Sequence, residues 1–125
     1  MKFKINGSSW EIKEITDKEM QSIYGKEGYY THGYTCYSEN IIYINKTSPE
    51  IIRTLKHELM HCWLYMYGHN QDDKQFTNED VCEIVASSND FINKVINEYM
   101  NQAVVVDIYE SKIKEPELKL SKDIM

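Results

Sequence analysis

His57-Glu58-Leu59-Met60-His61 sets two imidazoles four residues apart, with a carboxylate directly after the first. On a helix, residues four apart stand one turn above each other, so both rings project from one face toward a common point. Two imidazole nitrogens at about 2.0–2.1 Å can then share one tetrahedral zinc ion. Glu58 is turned about 100° from His57 and reaches a water on the metal rather than the metal itself. This H-E-x-x-H pattern reads as Zn2+-dependent hydrolysis, with His57 and His61 as ligands and Glu58 as general base. The bland alternative is a surface helix that happens to carry two His and a Glu.

A catalytic zinc site needs a third protein ligand and one open position. His69 lies eight residues after His61, across Gly68. The extended pattern with a further glycine and third histidine would place them where this chain has Leu64 and Tyr67, so that subclass is excluded. The better source is Asn78-Glu79-Asp80-Val81-Cys82-Glu83. Two antiparallel helices joined by a short loop can bring the start of the second near the middle of the first. Glu79 would then complete a His2Glu site, and Glu83, one turn on, would accept a hydrogen bond from a ligand imidazole. On spacing alone the two roles are interchangeable, and each Glu also reads as a solvated first-turn carboxylate favoured by the helix dipole. Asp72 and Asp73 are weaker ligand candidates in a polar loop.

The elements that must hold these residues are legible in outline. Phe3 and Ile5 alternate with Lys, Asn6-Gly7 is a two-residue turn signal, and Trp10, Ile12 and Ile15 form the return strand. Residues 17–24 read as a short helix stopped by Gly25, and the Gly- and Tyr-rich segment 25–33 as an exposed loop. Tyr34–Tyr37 and Ile41–Ile44 read as a second hairpin across Ser38-Glu39-Asn40. Ser48 and Pro49 suit the start of the motif helix, which runs to about Tyr67 with Gly68 as its stop. Ile51, Leu55, Leu59, Cys62 and Met66 form its apolar stripe. Thr77 and Asp80 make a capping box for a next helix whose apolar side carries Val81, Ile84, Val85, Ser88, Phe91, Ile92, Val95 and Tyr99. Val104-Val105-Val106 reads as a short strand and 111–125 as a charged, loosely held tail. The expected organisation is one α+β domain over residues 1–100 with an extension over 101–125. A small, mostly antiparallel sheet would pack on the motif helix and on a second, Glu-bearing helix.

The chain has 125 residues, 42% hydrophobic and 27% charged, an ordinary globular balance. Lys and Arg number 14 against 20 Asp and Glu, a net charge of −6. That balance argues against nucleic acid and anionic membranes as partners. Nothing resembling a signal peptide or a membrane-spanning run is present. Three cysteines (Cys36, Cys62 and Cys82) imply no disulfide framework, and a reduced, cytoplasmic protein is the expectation.

The order of a strand, an H-E-L-x-H helix and a helix opening with a ligand Glu resembles the ImmA/IrrE-type zinc metallopeptidases, gluzincin-like proteins of mobile elements and bacteria. In that family the second helix reads E-x-x-A-N-x-F-A, and here Glu79, Cys82, Glu83, Val85 and Ala86 occupy those places. Met60 stands where the family commonly has Gly, and Glu83 where it has Asn. The resemblance covers roughly residues 33 to 92, and H-E-x-x-H is shared with other zincins, SprT-like proteins included. It implies a minimal zincin-like fold and a cytoplasmic, often phage- or mobile-element-encoded peptidase that cleaves a few regulatory proteins. In zincins an edge strand before the motif helix pairs with the extended substrate, which assigns Ile42, Tyr43 and Ile44 to substrate binding.

Other residues admit two readings. His32, between Thr31 and Gly33, is either a hydrogen-bond donor to the reacting carbonyl or, more simply, an exposed loop histidine. Tyr29, Tyr30, Tyr34, Tyr37, Tyr65 and Tyr67 either line a peptide groove or half-bury their rings with the hydroxyl in water. Cys62 and Cys82 read as small packing residues. The rival to a peptidase is a zincin-fold binding or inhibitory protein acting through its acidic, Tyr-rich surface. A weaker third reading is a closed structural zinc site with His69 or a Cys as an added ligand.

Overall fold

The structure, a computed structural model, describes residues 1–69 and 75–114, with side chains through residue 102. β1 (Lys2–Ile5) and β2 (Ser8–Ile15) form the first hairpin, with Phe3 opposite Trp10. Both turn residues have positive φ, 47° at Asn6 and 80° at Gly7, the conformation a tight hairpin needs and an Asn-Gly pair readily adopts. α1 (Asp17–Tyr24) follows at once, closed by a capping box in which the Thr16 hydroxyl accepts from the Glu19 amide and the Glu19 carboxylate accepts from the Thr16 amide. β3 (Gly33–Cys36) and β4 (Ile41–Asn45) are the second hairpin, antiparallel as expected.

The four strands lie in the order β1-β2-β4-β3, with β2 and β4 parallel and the other two pairs antiparallel. The fold is thus α+β with a mixed sheet. β4 is an interior strand, which corrects its reading as an edge. Ile42 and Ile44 are fully buried, Tyr43 is 9% exposed, and both flanks of the strand are occupied. None of the three can pair with a peptide backbone. The edge on this side of the sheet is β3.

The sheet's two faces carry different helices. Met20 of α1 packs with Ile15, Cys36 and Tyr43 on one face, joined by Tyr34 and Ile41. Gly33 and Thr35 point to the other face, where they meet α2 (Ile51–Met66). Ile42 and Ile44 share that face by register, and Leu55, Leu59 and Cys62, all fully buried, are the α2 stripe. The helix begins at Ile51, two residues later than its expected start. The Ser48 hydroxyl accepts from the Glu50 amide but is also bonded to His32, and Pro49-Glu50 form a turn before the helix proper. At the far end Gly68 (φ 78°) closes a Schellman motif, with the His69 amide on the Leu64 carbonyl and the Gly68 amide on that of Tyr65.

α3 (Asn78–Lys114) starts at the expected box, the Thr77 amide bonded to the Asp80 carboxylate and the Asp80 amide to the Thr77 hydroxyl. Its first turns are less buried than the apolar stripe implied, Val81 being 49% and Val85 55% exposed. Packing tightens at Ser88, buried and donating to Met60, and at Phe91, whose ring lies 5.9 Å from that of Phe3. The helix continues through 104–106, so those valines are helical, not a strand; no Gly or Pro interrupts the chain between Asn78 and Lys114. Residues 111–114 of the expected tail belong to this helix, and 115–125 lie outside the described residues. By internal contacts the chain divides into two compact units, Met1–Ile92 and Asn93–Met125. No helix among the described residues is long and apolar enough to cross a membrane.

Candidate metal centre

The two histidines stand on the outer side of α2, His57 exposed and His61 half-buried. Their Nε2 atoms are 3.2 Å apart, and the rings meet at 75° with centroids 4.9 Å apart. Two nitrogens on a tetrahedral ion at about 2.0–2.1 Å would lie about 3.3 Å from each other. The observed spacing fits that requirement, and it is also that of one N–H···N hydrogen bond.

Glu58 is turned inward and only 7% exposed. The Thr35 hydroxyl of β3 donates to its Oε1 at 2.8 Å and lies 3.2 Å from its backbone carbonyl. Oε2 has no hydrogen-bond partner among the described residues. The strand comes this close only because position 33 is glycine. A Cβ there would fall 2.7 Å from Thr54 Cγ2 and 3.0 Å from Glu58 Cγ. Thr35 and Gly33 are site residues that the sequence reading missed. Their relation to Glu58 depends on a hairpin crossing a helix more than twenty residues away, and no local spacing encodes it.

Beside His57 and Glu58 lies an open cleft of about 470 Å³, walled by residues 30–33 on one side and by Glu50, Arg53 and Thr54 on the other. The Arg53–Glu50 ion pair at its rim spans 3.6 Å with both side chains largely exposed, and contributes little to stability. His32 is exposed, in the loop that leads into β3, and its ring forms part of the cleft wall. Its Nδ1 is 2.8 Å from the Ser48 hydroxyl, the Tyr30 ring packs edge-on against it at 4.6 Å, and its carbonyl accepts from the Asn45 amide. Of the six tyrosines considered, only Tyr30 lines this cleft. Tyr37 stacks on Tyr65 at 4.6 Å, Tyr67 packs on Trp63, and Tyr34 stacks on Tyr24.

The chain matches no family model, no curated protein and no solved structure.

Among the described residues no group of three or more His, Cys, Asp or Glu is placed to hold a metal ion. Glu79 stands exposed in the first turn of α3, where the helix dipole and solvent satisfy a carboxylate without further partners. Glu83 is also exposed and lines a separate small hollow with Trp63, His69, Phe76 and Asp80. The His69 ring stacks on Trp63 at 5.8 Å. Asp72 and Asp73 lie outside the described residues. Cys62, next to His61 in sequence, faces the core, and burial pushes its thiol up to about 12, so at neutral pH it is no nucleophile.

Proposed function

We propose that this chain is a zinc-dependent peptidase, similar to the ImmA/IrrE-type enzymes, that hydrolyses a peptide bond in a specific protein, a cytoplasmic regulator encoded in a phage or mobile-element setting. The observation that carries the reading is the 3.2 Å separation of the His57 and His61 Nε2 atoms, with the buried Glu58 carboxylate lining the same cleft as His57. His57 and His61 would hold the ion, with Glu79 from the start of α3 as the third protein ligand. Zinc bound there would supply Lewis acidity, lowering the pKa of water to near neutrality and polarising a carbonyl. Everything else falls to the chain's own groups. Thr35 holds Oε1 of Glu58, so Oε2 is the atom that takes a proton from the attacking water and returns it to the leaving amine. The edge of β3, unpaired among the described residues, supplies backbone groups against which an extended peptide can align over the cleft. The zincin-like arrangement belongs to this same proposal.

The test is elemental analysis of purified protein alongside activity on protein substrates. Wild type should carry zinc near one per chain, and Glu58→Gln should keep the zinc and lose turnover. His57→Ala and His61→Ala should lose both. A ratio near zero that persists after zinc is added back overturns the reading. A second reading, a binding or inhibitory protein on the same scaffold, fits the exposed Glu79, which among the described residues is not grouped with the histidine pair. It requires Glu58→Gln to retain the full biological effect.

A further inference from the structure

We propose that the stacked rings of Tyr24 and Tyr34 form a recognition platform for an aromatic side chain of the peptide, one residue along from the residue that lies over Glu58. The inference rests on the peptidase reading and adds a sequence preference to it.

It starts from the pleat of β3. This strand is hydrogen-bonded to β4 on one side only, and among the described residues no backbone bond reaches its other side. Side chains of a strand alternate between faces, and a strand added at an edge shares the pleat of its neighbour. Gly33 and Thr35 face α2, Thr35 touching the Glu58 carboxylate. Tyr34 and Cys36 face the opposite way, opposite Tyr43 and Ile41. A peptide residue paired with Thr35 or Gly33 therefore projects over Glu58, and the next residue in either direction projects beside Tyr34.

What that next side chain meets is specific. The Tyr34 ring lies flat on that of Tyr24, with centroids 4.6 Å apart and planes 7° apart. Tyr34 is anchored through the Met20 cluster, while Tyr24, the last residue of α1, is 56% exposed. The Thr31 hydroxyl donates to the Tyr24 carbonyl at 3.2 Å, tying the backbone under that ring to the cleft wall. Ile23, the preceding residue of α1, is also 44% exposed. Directly opposed residues on paired strands have Cβ atoms about 4.5–5.5 Å apart, which brings an incoming ring within reach of the stack. An aromatic side chain gains offset or edge contacts there, whereas a carboxylate meets the negative faces of two rings on a chain of net charge −6.

The experiment is affinity selection of a randomised linear decapeptide library on immobilised, zinc-supplemented, full-length Glu58→Gln protein. Phe, Tyr and Trp should be enriched about fivefold at one position. In the same background, Tyr24→Ser, at an exposed ring, and Tyr34→Thr, which keeps a strand-forming residue, should each bring that enrichment to within about twofold. Circular dichroism confirms that the variants are folded. Peptides selected without a preferred aromatic position, or an aromatic preference that survives both substitutions, overturn the inference and leave the peptide site standing. Failure of the Glu58→Gln protein to select any peptide overturns it together with the peptidase reading.

Discussion

Glu58 is buried, and the Thr35 hydroxyl is its one side-chain partner among the described residues. Removing that donor strands a buried oxygen, which costs about 1–3 kcal/mol. Thr35→Val is therefore expected to lower the urea midpoint and cut turnover with zinc content unchanged, and Thr35→Ser to restore both; equal loss in the two variants would refute the role of the hydroxyl. Gly33→Ala places a methyl against Thr54 and Glu58, and the strand must move off the helix. Overpacking of this kind costs about 1–3 kcal/mol, so a midpoint equal to wild type would show that β3 does not approach α2 this closely. Thiol chemistry separates the cysteines: Cys82 is exposed, whereas Cys62 is buried with its thiol pushed up to about 12. Native protein at pH 8 should alkylate at Cys82 and spare Cys62 until it is denatured. His57, Glu58 and His61 were legible because their relation is local, one turn of one helix. Thr35, Gly33 and the hydrogen bond of the His32 ring with Ser48 were not, because each arises where segments distant in sequence meet.

Most turns and caps behave as local chemistry: Asn6-Gly7, Thr16 with Glu19, Gly68, and Thr77 with Asp80 appear where the local sequence calls for them, and Ser48, bonded to His32, is the exception. Backbone and side-chain hydrogen bonds from Thr16 hold the Glu19 carboxyl below its ordinary value. A group whose folded pKa is depressed stabilises at pH above its unfolded value of about 4.5 and loses that contribution as pH falls through the folded value. Glu19→Gln should flatten this part of the acid limb of a stability–pH curve; an unchanged acid limb would exclude the linkage. Strand order was a different problem. The run Ile41-Ile42-Tyr43-Ile44 is apolar on both faces, the pattern of an interior strand rather than a half-exposed edge, and it was the available signal that β4 lies in the middle. The parallel pairing with β2 joins residues thirty apart, and no hairpin turn announces it. Val104–Val106 misled in the other direction. β-branched residues favour strands, but a helix already under way extends through them when nothing breaks it.

At the scale of the whole molecule, an ion bound to the folded chain and not to the unfolded one stabilises by about 2.7 kcal/mol when free metal is a hundredfold above its dissociation constant. Zinc should therefore raise the melting temperature of wild type and of Glu58→Gln and leave His57→Ala unmoved; equal shifts in all three would mean the ion binds elsewhere. The interior position of β4 has a further consequence, in time rather than energy. This strand ends at Asn45, and the motif helix begins at Ile51. Amides with a partner strand on both sides, or on a helix packed against them, exchange with deuterium only when the larger structure opens, while edge amides exchange through small local excursions. Exchange should therefore run from fast to slow between β3 and β4, across a single strand spacing. The histidine pair rides on the slow side and the open edge lies on the fast side, so the molecule can loosen where a guest strand would enter without loosening where an ion would sit.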